Sequence, residues 1–180
     1  MSYPVWNYYP RNVRPPEWVE SFLSVIHDAA PAISTLEPRL GVTSDMVLRH
    51  LAGGLQSLGF MVETGKTAAG KIRRPVLFGD NGQAEVLYEI DAFHDGHGIV
   101  LEAEAGRGAR GNAVYRDIVR TSLILDARYL ALLLPIAYRH QSAGREASVP
   151  AFRDARNQFN AIYASQRLQL PFEGVLLVGY

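Results

Sequence analysis

The stretch GIVLEAEAGRGARGN, from Gly98 to Asn112, sets two acids in front of a glycine-rich turn. Strand side chains alternate between faces, so Glu102 and Glu104 point to the same side of a strand, as do Glu89 and Asp91 in LYEIDAF just upstream. If HDGHG joins the two segments as a hairpin, the acids converge. Val100, Leu87 and Phe93 lie on the same faces, so the carboxylates would be partly covered. Clustered carboxylates under cover repel one another and are costly to desolvate, and a divalent cation is their usual neutraliser. Oxygen-only donors favour Mg2+ or Mn2+. Such an ion suits phosphodiester hydrolysis, because it polarises the phosphoryl oxygen and lowers the pKa of its bound water. The backbone amides of the turn, with Arg107, Arg110 and Arg116 beside them, would hold the phosphate.

Other chemistries fit less well. Gly106, Gly108 and Gly111 have the spacing of a dinucleotide fingerprint, but the acid that reads the ribose is missing near the end of the following strand, PIAYRHQ. Glu102 and Glu104 would also repel a pyrophosphate at that turn. Glycosidases hold their two acids on opposite sides of a sugar, whereas these belong to one cluster. His94 and His97 have no third histidine or cysteine near them for a zinc site and are left out.

Several elements must position the acids. Paired prolines before Glu17 and Pro31 after Ala30 bound a first helix over Glu17 to Ala30. A second helix is expected from a Thr43 or Ser44 cap, with Val47, Leu48, Leu51, Leu55 and Leu58 on one face, ending at Gly59. Gly53 and Gly54 inside it suggest that another backbone passes close by. GFMVETGK begins a strand; Arg74 to Phe78 and Glu85 to Phe93 read as strands joined by a turn, and Ile99 to Ala105 as a third. A helix from Asn112 to about Leu125 is expected to turn Tyr115, Ile118, Val119, Ser122 and Leu123 inward. A buried strand from Tyr129 to Ile136, a helix carrying Phe152, Phe159, Ile162 and Tyr163, and a closing strand GVLLVGY complete the chain. The expected class is α/β, a mixed sheet with helices on its faces.

At 180 residues, with 48% hydrophobic and 20% charged residues, the chain fits a single soluble domain. It has no cysteine, which removes disulfides, thiolate metal sites and cysteine nucleophiles. The opening MSYPVWNYYPRNV lacks the pattern of a signal peptide, and YLALLLPIAY is too short to span a membrane. A cytoplasmic protein without membrane attachment is the expectation. Formal net charge is zero, yet sixteen arginines stand against two lysines, Lys66 and Lys71, and arginine's planar fork suits phosphate.

Over Thr43 to Ile136 the chain resembles the PD-(D/E)xK nuclease superfamily, the restriction-endonuclease-like fold. The resemblance rests on the helix ending LQSLGFMVETGK, on LYEIDAF, whose Asp91 matches the first acid of the family motif, and on IVLEAEAG, whose Glu102 matches the second. It implies an α-β-β-β-α-β core over residues 43–136, an N-terminal extension and helix over 1–42, and an added C-terminal helix and strand over 150–180. It further implies a Mg2+-dependent endonuclease acting on DNA in restriction, defence or repair. Asp91 and Glu102 would be metal ligands, with the Ala103 carbonyl as a further one. Where the family usually has lysine, this chain has Glu104, for which a metal-ligand or general-base role is the natural proposal. The catalytic candidates are thus Asp91, Glu102 and Glu104, and a homodimer is one expectation for an enzyme that cuts both strands. The alternative is a nuclease-fold domain that has lost catalysis with the lysine and binds DNA or a protein partner.

Overall fold

The computed structural model describes residues 3–37, 42–105, 112–142, 144–165 and 167–180. A strand β1 (Val5–Tyr9) leads into helices α1 (Trp18–Asp28), α2 (Ala30–Ile33) and α3 (Ser44–Ser57). Strands β2 (Met61–Val62), β3 (Ile72–Phe78), β4 (Ala84–Ile90), β5 (Ala92–His94) and β6 (Ile99–Ala103) follow, then α4 (Ala113–Ser122) and β7 (Tyr129–Leu134). The chain closes with β8 (Tyr138–Ser142), β9 (Arg145–Val149), α5 (Ala151–Ser165) and β10 (Gly174–Gly179).

Six strands make one mixed sheet in the order β1-β10-β7-β6-β5-β2. Its centre is parallel, β6 beside β7 beside β10, and its outer strands are antiparallel to their neighbours. Successive residues feed opposite layers. Leu101 and Ala103 of β6, Leu133 of β7 and Leu176 of β10 pack with α1, α2 and α3, whereas Val100, Leu132 and Leu177 pack with α4 and α5. With both faces covered, the central strands are apolar throughout, which is why they read as continuous hydrophobic runs. Among the described residues no helix is long and apolar enough to cross a membrane.

The expected mixed sheet flanked by helices is therefore present, with corrections in detail. The N-terminal segment is part of the sheet: β1 pairs antiparallel with β10, placing Tyr8 opposite Leu176. The first helix is interrupted at Ala29, and Pro31 sits in the first turn of the short α2, where its missing N–H costs nothing. α3 is capped as expected, Thr43 accepting from the Met46 amide at 3.2 Å. Gly54 in α3 makes room for the Val25 side chain of α1, not for a backbone, and a Cβ at Gly53 would meet nothing.

The expected strand Glu85 to Phe93 divides at Asp91. Its first part, β4, pairs only with β3 as a separate two-stranded sheet, and its second part, β5, joins the main sheet. The hairpin of β8 and β9, between β7 and α5, had no counterpart in the sequence reading. In α4 the inward face is wrong by a rotation: Tyr115, Val119 and Leu123 are exposed, at 43%, 59% and 48%, while Val114, Asp117, Ile118 and Thr121 are buried. Ile118 is inward as expected, and the helix turns Val114, Asp117 and Thr121 in beside it in place of Tyr115, Val119 and Leu123.

Candidate functional site

A cavity of about 460 Å3 opens where the end of β6, the break between β4 and β5, the start of β3 and the outer side of α4 meet. Asp91, Glu102, Ala103 and Glu104 line it, so the structure brings together the acids expected from the sequence. Arg116 lines it too. Arg107, Arg110 and the glycine turn at 106–111 lie outside the described residues.

Asp91 occupies the bend where the chain passes from one sheet to the other. Its carbonyl accepts from the Glu63 amide at 2.8 Å, and its Oδ2 accepts from the Ala103 amide at 2.8 Å. These two bonds tie the bend to the segment after β2 and to the end of β6. Burial pushes the Asp91 carboxyl up to about 6, against the opposing pull of the Ala103 N–H, and the negative charges of Glu63 and Asp117 add to the rise.

Glu102 is the penultimate residue of β6 and faces the α4 side, as the alternation requires. Desolvation, with Asp91 and Asp117 nearby, holds its carboxyl well above the usual carboxylate range; the Arg120 guanidinium opposes this. Glu104 follows the last residue of β6. Its amide donates to Leu133 O at 2.9 Å and its carbonyl accepts from the Tyr180 hydroxyl at 3.0 Å, so its backbone is fixed although the strand has ended.

The side chain of Glu104, 8% exposed, forms an ion pair with Arg116 and lies against Asp117. Burial first, then the Asp117 carboxylate, raises Glu104 to about 8 despite Arg116. Asp117 is 1% exposed; its Oδ1 accepts from Arg116 Nε at 3.0 Å. Asp117 Oδ2 has no hydrogen-bond partner among the described residues.

Cations line the same cavity. Lys71 Nζ lies 2.8 Å from both carboxylate oxygens of Glu63. Arg120 donates to Glu89 O at 2.8 Å, with its guanidinium 5.3 Å from the Tyr88 ring centre. Glu89 sits at the rim, half exposed and paired with Arg73 at 3.1 Å. His94 and His97 line a different, smaller cavity, where His94 Nε2 lies 3.0 Å from Leu58 O.

Sequence reasoning missed Asp117, Lys71, Arg120 and Glu63. Asp117 had a signal: Val114, Asp117, Ile118 and Thr121 recur at helical spacing, which goes unseen when only apolar residues are counted. Lys71 and Glu63 reach the site from segments distant in sequence, and nothing local marks them.

The donor chemistry suits a hard cation, since every acid here offers oxygen alone. Among the described residues, however, no group of three acidic or histidine side chains closes on one point as a ready metal shell. Mg2+ does not need one, because it keeps several waters and is commonly held by one or two carboxylates. No protein-family model matches the sequence, and comparison with curated proteins returns no significant match.

Proposed function

We propose that this cavity is the active site of a divalent-metal-dependent phosphodiesterase, a nuclease acting on DNA, with a restriction-endonuclease-like core. One observation carries the reading: Asp91, Glu102 and Glu104 share a cavity in which burial and mutual repulsion raise all three carboxyls. That arrangement is unfavourable by itself and becomes favourable when a cation is bound. The succession of α3, β-strands, α4 and β7, with the two motif acids at the bend after β4 and at the end of β6, supports the fold assignment.

Asp91 and Glu102, with the Ala103 carbonyl, would be the oxygen donors for Mg2+ or Mn2+. The ion, when bound, supplies Lewis acidity and a water of lowered pKa. The chain does the rest. The Ala103 amide orients the Asp91 carboxylate through Oδ2. Arg116 and Arg120 place positive charge at the mouth, where phosphate oxygens enter. Glu104, whose carboxyl is raised to about 8 by burial and by Asp117, serves either as a ligand of the cation or as the general base beside it.

Incubating the protein with supercoiled plasmid and labelled duplex in Mg2+ or Mn2+ tests this. Wild type should nick or linearise DNA, and Asp91→Ala and Glu102→Ala should each reduce the rate by at least about a hundredfold with the fold retained. Activity equal in wild type and both variants would remove the assignment.

A second reading, a DNA-binding domain of the same fold that no longer cuts, is favoured by the ion pair that occupies Glu104 with Arg116. Glu104→Lys separates the two. An inactive wild type whose lysine variant cuts DNA in Mg2+ supports the non-cutting domain.

A further inference from the structure

The chain has two lysines among eighteen basic residues, and both line the acid cavity. Every other Lys or Arg ion pair among the described residues uses arginine. The two lysines differ in their surroundings. Lys66 is 79% exposed and pairs with Asp45 at 3.1 Å. Lys71, immediately before β3, is 20% exposed, and the Glu63 carboxylate holds it through both oxygens at 2.8 Å. An ammonium has three N–H groups. Glu63 takes two of them, and the next carboxylate, Glu89, is at 4.0 Å, beyond hydrogen-bond reach. Among the described residues the third N–H is therefore left for something that enters the cavity.

The support behind Lys71 leads straight to the acids. Glu63 follows β2, its amide donates to the Asp91 carbonyl at 2.8 Å, and Asp91 in turn accepts from Ala103. One hydrogen-bonded chain thus fixes the ammonium relative to the bend and to the end of β6. A compact, protonated ammonium with one donor free suits a single phosphate oxygen; a guanidinium there would span the carboxylate in a plane and fill more of the opening.

We propose that Lys71, oriented by Glu63, contacts the phosphate of the DNA strand lying in the acid cavity, and that Lys66 takes a neighbouring phosphate at its rim. The proposal rests on the reading of the cavity as a phosphodiester site. The contact delivers positive charge from the residue before β3, in addition to that of Arg116 and Arg120 on α4.

Binding of a short fluorescent DNA duplex, followed by anisotropy in EDTA over a range of salt, tests this without requiring cleavage. Lys71→Met, which keeps the alkyl stem, should weaken binding about tenfold and lower the slope of log K against log salt by about one. Lys66→Ala should give a smaller loss, and Glu63→Gln should weaken binding while the charge of Lys71 remains. In Mg2+, Lys71→Met should slow cleavage about a hundredfold with Mg2+ affinity unchanged or tighter, since a cation beside the acids has been removed. A merely structural lysine would lower metal and DNA binding together with thermal stability, and that result overturns the proposal. So does wild-type DNA affinity and salt slope in Lys71→Met, for which Lys71→Ala serves as the second variant. A wild type that binds DNA through Lys71 but never cuts would remove the nuclease reading and leave this contact standing. A wild type that cuts, with Lys71→Met cutting and binding equally well, would do the reverse.

Discussion

The amide of Ala103 donates a 2.8 Å hydrogen bond to Oδ2 of Asp91, joining the last residue of a central strand to the bend at which the preceding strand changes sheets. The bond fixes one carboxylate oxygen while burial raises the cost of its charge. Asparagine can accept the same N–H without that charge. Asp91→Asn should therefore fold normally and, at pH 8 without metal, exceed wild type in stability by on the order of 1–3 kcal/mol, measured by urea unfolding. A loss of stability at pH 8 would show that the charge is already compensated.

Glu104 gives the stability a pH dependence of definite sign. Its carboxyl is raised to about 8 in the folded protein, so the folded state binds more protons than the unfolded state from the ordinary glutamate range up to that value. Stability from this group is complete at acid pH and declines as pH rises towards 8. Glu104→Gln should remove much of the decline, and its unfolding midpoint should cross above that of wild type on the alkaline side. Parallel pH profiles would refute the assignment.

Tyr180 ties its strand end to the site through its hydroxyl, which donates to Glu104 O at 3.0 Å in a buried setting. Tyr180→Phe keeps the ring and removes the donor, leaving a buried carbonyl short of a partner. A cost of roughly 1–2 kcal/mol is expected in denaturant unfolding. A smaller effect would mean that another donor replaces the hydroxyl.

Gly98 closes the turn between β5 and β6 with φ of +64°, and a Cβ there would lie 2.6 Å from Asp126 O. Its amide donates to His94 O at 2.8 Å and its carbonyl accepts from Arg128 and Tyr129. Gly98→Ala should destabilise by about 1–3 kcal/mol, read as a lower melting temperature, because the conformation and the space both oppose a side chain. An unchanged melting temperature would mean that the turn relaxes freely.

The central strands and the flanking helices could be read from sequence because burial on both faces leaves unbroken apolar runs such as YLALLL and GVLLVG, and because caps such as Thr43 act locally. Asp91, Glu102 and Glu104 were legible as neighbours for a related reason: strand alternation and a tight turn bring them to one end of adjacent strands. What escaped depends on distant partners. Val5–Tyr9 is a strand because β10 offers it an edge; the Val, Trp and Tyr of VWNYY favour extended chain but do not name that partner. The division at Asp91 depends on β5 pairing with β2 and β6 while β4 follows β3. α4 carries Asp117 inward on the face that buries Val114 and Ile118 in the apolar cluster, where Arg116 pairs with it, and Val119 and Leu123 are left exposed.

The central claim is that the buried carboxylates of this cavity bind a divalent cation, and isothermal titration of Mn2+ or Mg2+ into wild type and Asp91→Ala at pH 8 tests it most directly. The account predicts saturable binding to wild type, accompanied by proton release as raised carboxyls ionise, and loss of that binding in Asp91→Ala. No binding by wild type, or equal binding by the variant, would contradict it.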